Sequence, residues 1–441
     1  MNIEKLTDEH LLWADMVMIS AMIVQKDSVN QVIARSRQMN KTIVVGGPLW
    51  AKDTADYDSV DHVIVGEAER LLPAFIKDFE NGVAKKIYDS EEVPQLGETP
   101  MPDFDLIQKK AYSCMLVQFS RGCPFNCEFC DIIEIFGRVT RTKSNEQFLA
   151  ELDVLYTKGW RGSVFIVDDN FIGNKAKIRN LLPDLIQWQK KRKYPFYFLT
   201  EASVNLARET DMLKNMAEAN FRKVFLGIET PVEESLKLTQ KMQNTTMDLT
   251  ESVRRIQRAG LQVQAGFIVG FDSDPPDVFT RVIDFIQSAA IPISMVGILS
   301  ALPGTQLTRR LLKEGRLVAE SKGSNTSLDL NFIPKMDTTK LIEGYKRILS
   351  TIYEPKQYYE RALEFLSHYR PYLKQRIKLE DIIAFCNSIL RQGIGGRHRF
   401  QYWKFLFQAY RRNAAAFSDA VTLAIMGYHF EKVTELQLSY R

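Results

Sequence analysis

Cysteine and histidine are scarce in this chain of 441 residues, which has five of each. So few cysteines in so long a chain exclude a secreted disulfide framework. No sign of charge dominates either, because 58 lysines and arginines face 54 aspartates and glutamates, so the whole molecule is not an electrostatic binder of nucleic acid. The N-terminal residues are charged and lack the apolar segment of a secretory signal. We therefore expect a soluble, cytoplasmic protein.

Long hydrophobic runs are also rare. One charge-free run, residues 285–308, is long enough to span a bilayer. Pro292, Gly297, Pro303 and Gly304 interrupt this run, which therefore predicts a helix end, a buried strand and a turn. With 45% hydrophobic and 25% charged residues, the composition is that of an ordinary globular protein.

The first hundred residues alternate between short apolar strands and helical stretches. Strands are predicted at 16–20, 42–48 and 62–66. Near-continuous β-branched runs separated by helices are typical of a parallel sheet. The sequence predicts only three strands, so we expect this α/β domain to be incomplete at its N-terminus.

The alternation resumes after a proline-rich linker. Strands are predicted at 115–120, 163–168, 196–203, 223–230, 262–271 and 293–302. Six strand–helix units predict a partial parallel (β/α)6 barrel. Beyond residue 340 the pattern becomes helical. The predicted domains are an α/β domain at 1–88, a linker at 89–110, a barrel at 111–305 and a helical domain at 306–441.

Three of the five cysteines, Cys123, Cys127 and Cys130, fall within eight residues, directly after the first predicted barrel strand. Three thiolates in one loop can ligate three irons of a [4Fe–4S] cluster and leave the fourth iron open to a small molecule. Zinc is the main competing interpretation, but it normally takes a fourth Cys or His, and no His lies within 60 residues of the motif. Three inert thiols are the remaining alternative. Cys114 and Cys386 are predicted to be buried apolar thiols.

The segment Arg121-Gly-Cys-Pro-Phe-Asn-Cys-Glu-Phe-Cys130 resembles the motif of the radical S-adenosylmethionine (SAM) superfamily. The resemblance implies that the open iron chelates SAM. It further implies that one electron cleaves SAM to methionine and a 5′-deoxyadenosyl radical, which abstracts hydrogen from a small-molecule substrate. An electron donor such as flavodoxin or ferredoxin is implied as a partner.

Other segments, each at the end of a predicted barrel strand, match the same superfamily. The residues that the resemblance assigns to SAM are Phe129, Asp168, Asp169, Glu229, Gly266 and Gly270. Barrel enzymes build their sites at these strand ends. Burying Glu229 unpaired would be costly, which favours a polar site, whereas Asp169 is alternatively a helix cap. No catalytic residue is assigned.

A narrower resemblance is to the cobalamin-binding branch that carries a helical C-terminal extension and includes hopanoid C-2 methylase-like enzymes. Residues 121–144, 165–173 and 331–336 carry it. The residues predicted at the cobalamin edge are Ser20, Gly46, Gly47, Gly66 and Glu67. In that branch cobalamin lies against a five-stranded parallel sheet, so three strands predict weak cobalamin binding. The alternatives are a strand-ending turn at the glycines and a helix N-terminus at Glu67.

The resemblance implies a cobalamin-dependent C-methyltransferase of an unactivated carbon. Two alternatives stay open: a radical SAM enzyme that rearranges or oxidises its substrate without cobalamin, and an inactive truncated protein that only binds a cluster. An RNA-modifying methylthiotransferase is less favoured, because the sequence has no second cysteine trio.

Residues 382–418 contain no acid but six basic residues. Phe400, Trp403, Phe407 and Tyr410 recur there at helical spacing, which predicts a stripe buried in the core. The alternatives are an RNA surface and an anionic membrane surface, and a lipid substrate would give the membrane surface a use.

Overall fold

A computed structural model describes residues 5–50, 58–324, 328–374 and 377–439. The chain forms two compact units. The first unit comprises 1–161, 300–325 and 329–333, and the second comprises 162–299, 326–328 and 334–441. These units do not coincide with the predicted domain bounds, which stay a prediction. Among the described helices none combines the length and the hydrophobicity needed to cross a membrane.

The first unit opens with a parallel sheet of four strands in the order β1-β2-β3-β4. These strands are β1 (Met16–Ser20), β2 (Thr42–Gly46), β3 (His62–Val65) and β4 (Ile87–Asp89), and the helices are α1 (Asp8–Trp13), α2 (Lys26–Gln38) and α3 (Ala68–Glu80). The prediction of three strands was wrong, because β4 is present. Only its middle residue, Tyr88, is buried, so three residues are too few to show a strand pattern.

Both faces of this sheet are covered. Val45 and Val63 pack with Val29 of α2, whereas Val44 and Ile64 pack with Phe75 of α3. Because alternate strand residues reach two cores, the strands read as continuous apolar runs rather than as an alternation.

The cysteine motif lies in the rest of the first segment. Its elements are β5 (Met115–Val117), β6 (Ser120–Arg121), α4 (Ile132–Ile135), β7 (Arg141–Thr142) and α5 (Asn145–Thr157). Helix α5 begins where the Ser144 side chain accepts a hydrogen bond from the Gln147 amide at 3.1 Å, an N-cap.

The second unit holds five parallel strands in the order β12-β11-β10-β9-β8. The strands are β8 (Gly162–Ile166), β9 (Phe196–Ala202), β10 (Phe221–Glu229), β11 (Gln262–Val269) and β12 (Ile293–Ile298), and the helices are α6 (Lys175–Lys191), α7 (Thr210–Glu218), α8 (Glu233–Leu238), α9 (Leu249–Arg258) and α10 (Val278–Ser288). Together with β5, they confirm all six predicted barrel strands. Residues 285–308 contain the end of α10, then β12 and a turn, as predicted.

Helices dominate the remainder, as predicted. They are α11 (Gln306–Lys313), α12 (Thr338–Ile352), α13 (Pro355–His368), α14 (Leu379–Ser388), α15 (Arg399–Arg412) and α16 (Phe417–Ser439), and a π-helical segment (Ile389–Ile394) follows α14. Helix α11 was not predicted, and it belongs to the first unit.

Two predictions of burial were wrong. Phe400, Trp403, Phe407 and Tyr410 are 45–78% exposed. Helix α15 is apolar on both faces, and its core contacts come from Tyr402, Phe405, Leu406 and Ala409 instead. Spacing therefore identified a stripe but not which stripe faces the core. Cys386 is exposed and Cys114 is half-buried, so neither is a fully buried thiol.

Candidate cluster-binding loop and cofactor edges

The cysteine loop is closed by a short antiparallel pair. Strands β6 and β7 pair with Arg121 opposite Arg141, so residues 122–140 leave and return at one point. Gly122 has φ +90°, and a Cβ there would lie 2.9 Å from the Val139 carbonyl oxygen. The loop can close this tightly only with glycine at that position.

The three cysteines sit at different depths in this loop. Cys127 is buried, and Cys123 and Cys130 are half-buried. The Cys130 amide donates to the Cys127 carbonyl at 3.2 Å, and the Cys123 amide donates to the Gly137 carbonyl at 3.4 Å. Within the described ranges no three His, Cys, Asp or Glu side chains converge on a single metal ion. Three thiolates in one loop fit a [4Fe–4S] cluster, in which each thiolate takes its own iron.

Helix α11 holds the loop from one side, although it is nearly two hundred residues away in sequence. Glu128, between the second and third cysteines, accepts from Arg310 at 2.5 Å and 3.2 Å in a two-pronged pair. The Leu307 amide donates to the Glu128 carbonyl at 2.9 Å. The Gln306 side chain donates to Asn126 at 3.1 Å. The beginning of α11 therefore fixes the backbone that carries Cys127 and Phe129.

A buried cluster of four charges holds the loop from the other side. Glu67 accepts from Arg141 at 2.7 Å and also from Arg121, and Glu69 accepts from Arg121 at 3.0 Å. The four side chains are 7–13% exposed. Two positive and two negative charges balance, which is what burial of such groups requires. This ion-pair cluster ties the end of β3 to both strands that close the cysteine loop.

Lys143, which follows the cysteine loop, is buried. It donates to Glu151 of α5, which is also buried. Arg141 and Lys143 are thus both committed to internal carboxylates, and neither forms a solvated face.

Three of the residues predicted at a cobalamin edge lie together at the carboxyl ends of neighbouring strands. Ser20 pairs with Gly46 in register, and Gly46 pairs with Ile64 of β3, two residues before Gly66. Gly66 has φ +96°, and a Cβ there would have no neighbour within 4 Å, so space lies open beside it. Open α/β sheets bind ligands at this edge.

Gly47 differs from the other glycines. It has φ +85°, and a Cβ would lie 2.8 Å from the Ser20 hydroxyl and 3.0 Å from the Ala21 nitrogen. The Trp50 amide donates to its carbonyl at 3.0 Å. Its geometry is that of a strand-ending turn packed against β1, and a cobalamin contact at Gly47 stays a prediction.

In the second unit, acids collect where β8 and β9 end. Asp168 is buried, and Asn170 accepts from the Ser203 amide at 3.2 Å, which joins the two strand ends. Burial, and then the charge of Asp169, raise the pKa of Glu201 to about 7. The sequence analysis did not assign Glu201, although it ends a predicted strand as Asp168 does.

Glu229 is buried at the end of β10 and paired with Lys241, 2.5 Å away. Its φ is +63°, unusual for a residue with a side chain, and the register between β10 and β11 shifts at this point. A Cβ on Gly227 would lie 2.5 Å from the Glu229 carboxylate and 2.7 Å from the Lys241 ammonium. Lys241, which the sequence analysis missed, compensates the charge of the buried Glu229, and a contact between Glu229 and SAM stays a prediction.

Gly266 in β11 and Gly270 directly after it both occupy positions of close approach. A Cβ on Gly266 would lie 3.1 Å from the ring of Phe225, and Gly270 has φ +101°. The carboxylate of Asp274 accepts from the Gly270 and Phe271 amides at 2.8 Å and 3.0 Å. Burial raises the pKa of Asp274 to about 6. This second unassigned acid shapes the turn after β11.

Within the second unit, therefore, Asp168 follows β8, and Glu229 and Gly266 lie on β10 and β11, and the carboxyl ends of these parallel strands share one edge. Within the first unit, the cysteines and Phe129 occupy one loop. The prediction that both groups contact one SAM molecule stays a prediction.

A three-thiolate loop, together with parallel strands that end in acids and glycines, defines a class of protein: a cluster-dependent α/β enzyme. The model of the Radical SAM superfamily matches residues 117–286, and a domain of unknown function, DUF4070, matches residues 305–439.

Two relatives of known name match over nearly the whole chain. An uncharacterized methyltransferase of Synechocystis sp. is 42% identical over 99% of this chain and 82% of its own. The hopanoid C-2 methylase of Rhodopseudomonas palustris is 33% identical over 92% of this chain and 78% of its own. The chain belongs to the radical SAM superfamily, in the family that includes these methyltransferases. Membership implies an enzyme that uses a [4Fe–4S] cluster and SAM.

Solved structures agree on the fold. The radical SAM methyltransferase TsrM of Kitasatospora setae, with cobalamin and a [4Fe–4S] cluster bound, matches with a TM-score of 0.61 at 13% identity over 96% of this chain and 90% of that chain. The cobalamin-dependent SAM radical enzyme OxsB, with aqua-cobalamin bound, matches with a TM-score of 0.60 at 16% identity over 98% and 76%. The predicted α/β architecture with a helical C-terminal region is confirmed.

Proposed function

We propose that this protein is a cobalamin-dependent radical SAM C-methyltransferase that acts on an unactivated carbon of a small molecule. The observation that carries the proposal is the loop of Cys123, Cys127 and Cys130. It places three thiols within eight residues, and the ion-pair cluster ties it to the open edge of a parallel sheet. Relatives named as methyltransferases support the same chemistry.

When bound, the cluster and SAM would supply a 5′-deoxyadenosyl radical, and methylcobalamin would supply the methyl group. The three cysteines would hold the cluster, and the half-buried Phe129 between them would border the adenine. Asp168, Asp169 and Glu229, with Gly266 and Gly270, would contact SAM. The ion-pair cluster and α11 keep the loop in one shape before any ligand arrives, which lowers the entropy cost of binding.

Ser20, Gly46 and Gly66 are proposed to contact cobalamin. The fourth strand weakens the reason for expecting poor cobalamin binding, because the sheet lacks one strand of the branch's five and not two. Gly66 leaves free volume beside the sheet edge. Glu67 is better placed to position the cysteine loop, because both of its carboxylate oxygens already accept from arginines.

An electron donor such as flavodoxin or ferredoxin is proposed to reduce the cluster. A lipid substrate is supported by the relationship to the hopanoid C-2 methylase.

The test is anaerobic reconstitution of the full chain. We expect about four irons per chain, and 5′-deoxyadenosine when SAM and reductant are added. Cys123→Ala should abolish both, and Cys114→Ala is the matched control that should not. Hydroxocobalamin should co-elute at one equivalent on gel filtration. Formation of 5′-deoxyadenosine without cobalamin retention would favour the alternative, a radical SAM enzyme that does not use cobalamin.

A further inference from the structure

Helix α15 exposes an aromatic stripe on the side away from its core contacts. Phe400 is 78%, Phe407 62% and Tyr410 59% exposed, and Trp403 is 45% exposed. Since a fully covered aromatic side chain buries ~150–250 Å², these four leave about 500 Å² of ring surface in water. That area alone is near the upper end for the largest apolar patch of a monomeric protein, which is ~300–600 Å².

A second apolar stripe lies on α14 and the π-helical segment after it. Leu379, Ile382 and Ile383 recur at the spacing of one helix face, yet they are 50–70% exposed. Leu390 and Ile394 follow, 59% and 61% exposed. Such a stripe normally faces a core, and among the described residues nothing covers this one.

The two stripes lie on neighbouring helices that are fixed against each other. The Trp403 indole nitrogen donates to the Gly393 carbonyl at 3.1 Å, and its ring lies over that glycine, where a Cβ would be 2.9 Å away. The hydroxyls of Ser388 and Tyr402 are 3.1 Å apart. The end of α14 is thus fixed against α15 by buried contacts. We call the two stripes and the basic residues among them the apolar–basic face.

The charges on this face have one sign. Six basic residues within 382–418 are all exposed, and in the described part of the chain none of them forms an ion pair. Arg412 lies about 160° from the aromatic stripe at 3.6 residues per turn, so the face carries the other five: Arg391, Arg397, Arg399, Lys404 and Arg411. Arg399 lies 5.1 Å from the Phe400 ring centre, and Arg411 lies 5.7 Å from that of Phe407. The acids of α14, Glu380 and Asp381, point about 100° and 160° away from its apolar stripe at 3.6 residues per turn.

We propose that the apolar–basic face docks the protein peripherally on an anionic lipid bilayer. Aromatic rings and branched aliphatic side chains would enter the interface, and the arginines and lysine would meet lipid phosphates. The inference does not rest on the proposed chemistry, because docking requires neither cluster nor SAM. It would give an enzyme of this family direct access to a membrane-dissolved substrate.

Two other occupants fit less well. RNA would use the aromatic rings and the bases, but the aliphatic stripe of α14 offers nucleotides neither stacking nor hydrogen bonds. A second copy of the chain would bring two faces of the same charge together, which opposes association.

The test is sedimentation of the full-length protein with vesicles of phosphatidylglycerol and phosphatidylcholine, compared with phosphatidylcholine alone. We expect binding about tenfold stronger to the anionic vesicles, and weaker in 0.5 M salt, because salt screens the basic residues. Phe400→Ser with Phe407→Ser should reduce binding about tenfold, as should Arg391→Glu with Lys404→Glu. These positions are exposed, so circular dichroism should show an unchanged fold. Lys177→Glu with Lys191→Glu, which reverses two exposed bases of α6, is the matched control and should bind like the wild type.

Three outcomes would overturn the proposal. Equal binding to neutral and anionic vesicles would remove the role of the bases. Binding that survives both double variants would place the contact elsewhere. A dimer on gel filtration that Phe400→Ser with Phe407→Ser converts to a monomer would show that a second copy covers the face.

Discussion

Replacement of Glu67 by glutamine should destabilise the cysteine loop without touching a thiol. Glu67 lies at the end of β3 and accepts from Arg121 and Arg141, which flank the loop. Glutamine keeps the size of the side chain but removes its charge. Arg121, whose side chain is 13% exposed, would then keep only Glu69. Arg141, 9% exposed, would keep only the Pro94 and Phe136 carbonyl oxygens.

The size of the effect follows from that burial. Removing one partner of a buried ion pair costs about 3–5 kcal/mol, because the remaining charge stays desolvated and uncompensated. For a unit of this size, that corresponds to a fall in melting temperature of about 10 °C. Because Arg121 leads directly into Gly122 and Cys123, we also expect iron content after reconstitution to fall well below that of the wild type.

The assay combines thermal unfolding with iron and sulfide content, measured on Glu67→Gln and on a matched control, Glu98→Gln. Glu98 also pairs with an arginine of the first unit, Arg70, and this pairing lowers the pKa of Glu98 to about 2. Both members of that pair are substantially exposed, so its loss should change little. The double variant Glu67→Gln with Arg141→Met should recover part of the loss, since it removes one uncompensated charge.

The alternative role of Glu67, as a cobalamin contact, makes the opposite prediction. If Glu67→Gln kept the melting temperature and the iron content of the wild type and lost only cobalamin affinity, the ion-pair cluster would not support the loop. Our reasoning would then be refuted, and Glu67 would belong to the ligand edge.

Three further predictions follow from the same contacts. Arg310→Gln should lower iron content, because Glu128 loses its two-pronged partner beside Cys127. Arg309→Gln, on the exposed side of α11, should not lower it. Equal iron content in both variants would argue against support of the cysteine loop by Arg310. Gly227→Ala should weaken SAM binding, measured by equilibrium dialysis, without loss of iron, because a Cβ at this position would collide with the Glu229–Lys241 pair. Unchanged SAM affinity would place SAM away from Glu229. The folded protein keeps a proton on Glu201 up to a pKa of about 7, so the stability that this proton contributes is full below pH ~4.5 and is lost as the pH rises through 7. Glu201→Gln should remove this loss and stabilise the protein at pH 8 by about 2 kcal/mol. Parallel stability–pH profiles for the two proteins would contradict this expectation.

Much of the fold could be predicted from the sequence, because strands and helices are marked by local patterns of apolar residues. The strands from Thr42, Phe196 and Gln262 begin where the apolar runs predicted them. Strands and helices too short to show a repeating hydrophobic pattern could not be predicted from the sequence. Strand β4 has three residues, and α4 has four, so neither completes a pattern.

The ion pairs that hold the cysteine loop could not be predicted from the sequence, because they join distant residues. Glu128 and Arg310 are 182 positions apart, and Glu67 and Arg141 are 74 apart. No spacing rule connects such pairs, and a carboxylate beside a cysteine motif looks the same whether it is solvated or paired. The three thiols were predictable because their chemistry requires them within one loop.

The arrangement of these supports explains why the cysteine loop is built from three distant parts of the chain. A cluster ligated by only three thiolates gains less binding energy from the protein than one with four, so the backbone must hold the thiolates in place before the cluster forms. Arg310 and Leu307 hold the middle of the loop, and Glu67 holds both of its ends through Arg121 and Arg141. The residues that set the geometry of the open iron therefore include charged side chains that never approach it. Substitutions at Glu67 or Arg310 should accordingly impair cluster loading more than their distance from the cysteines in sequence suggests.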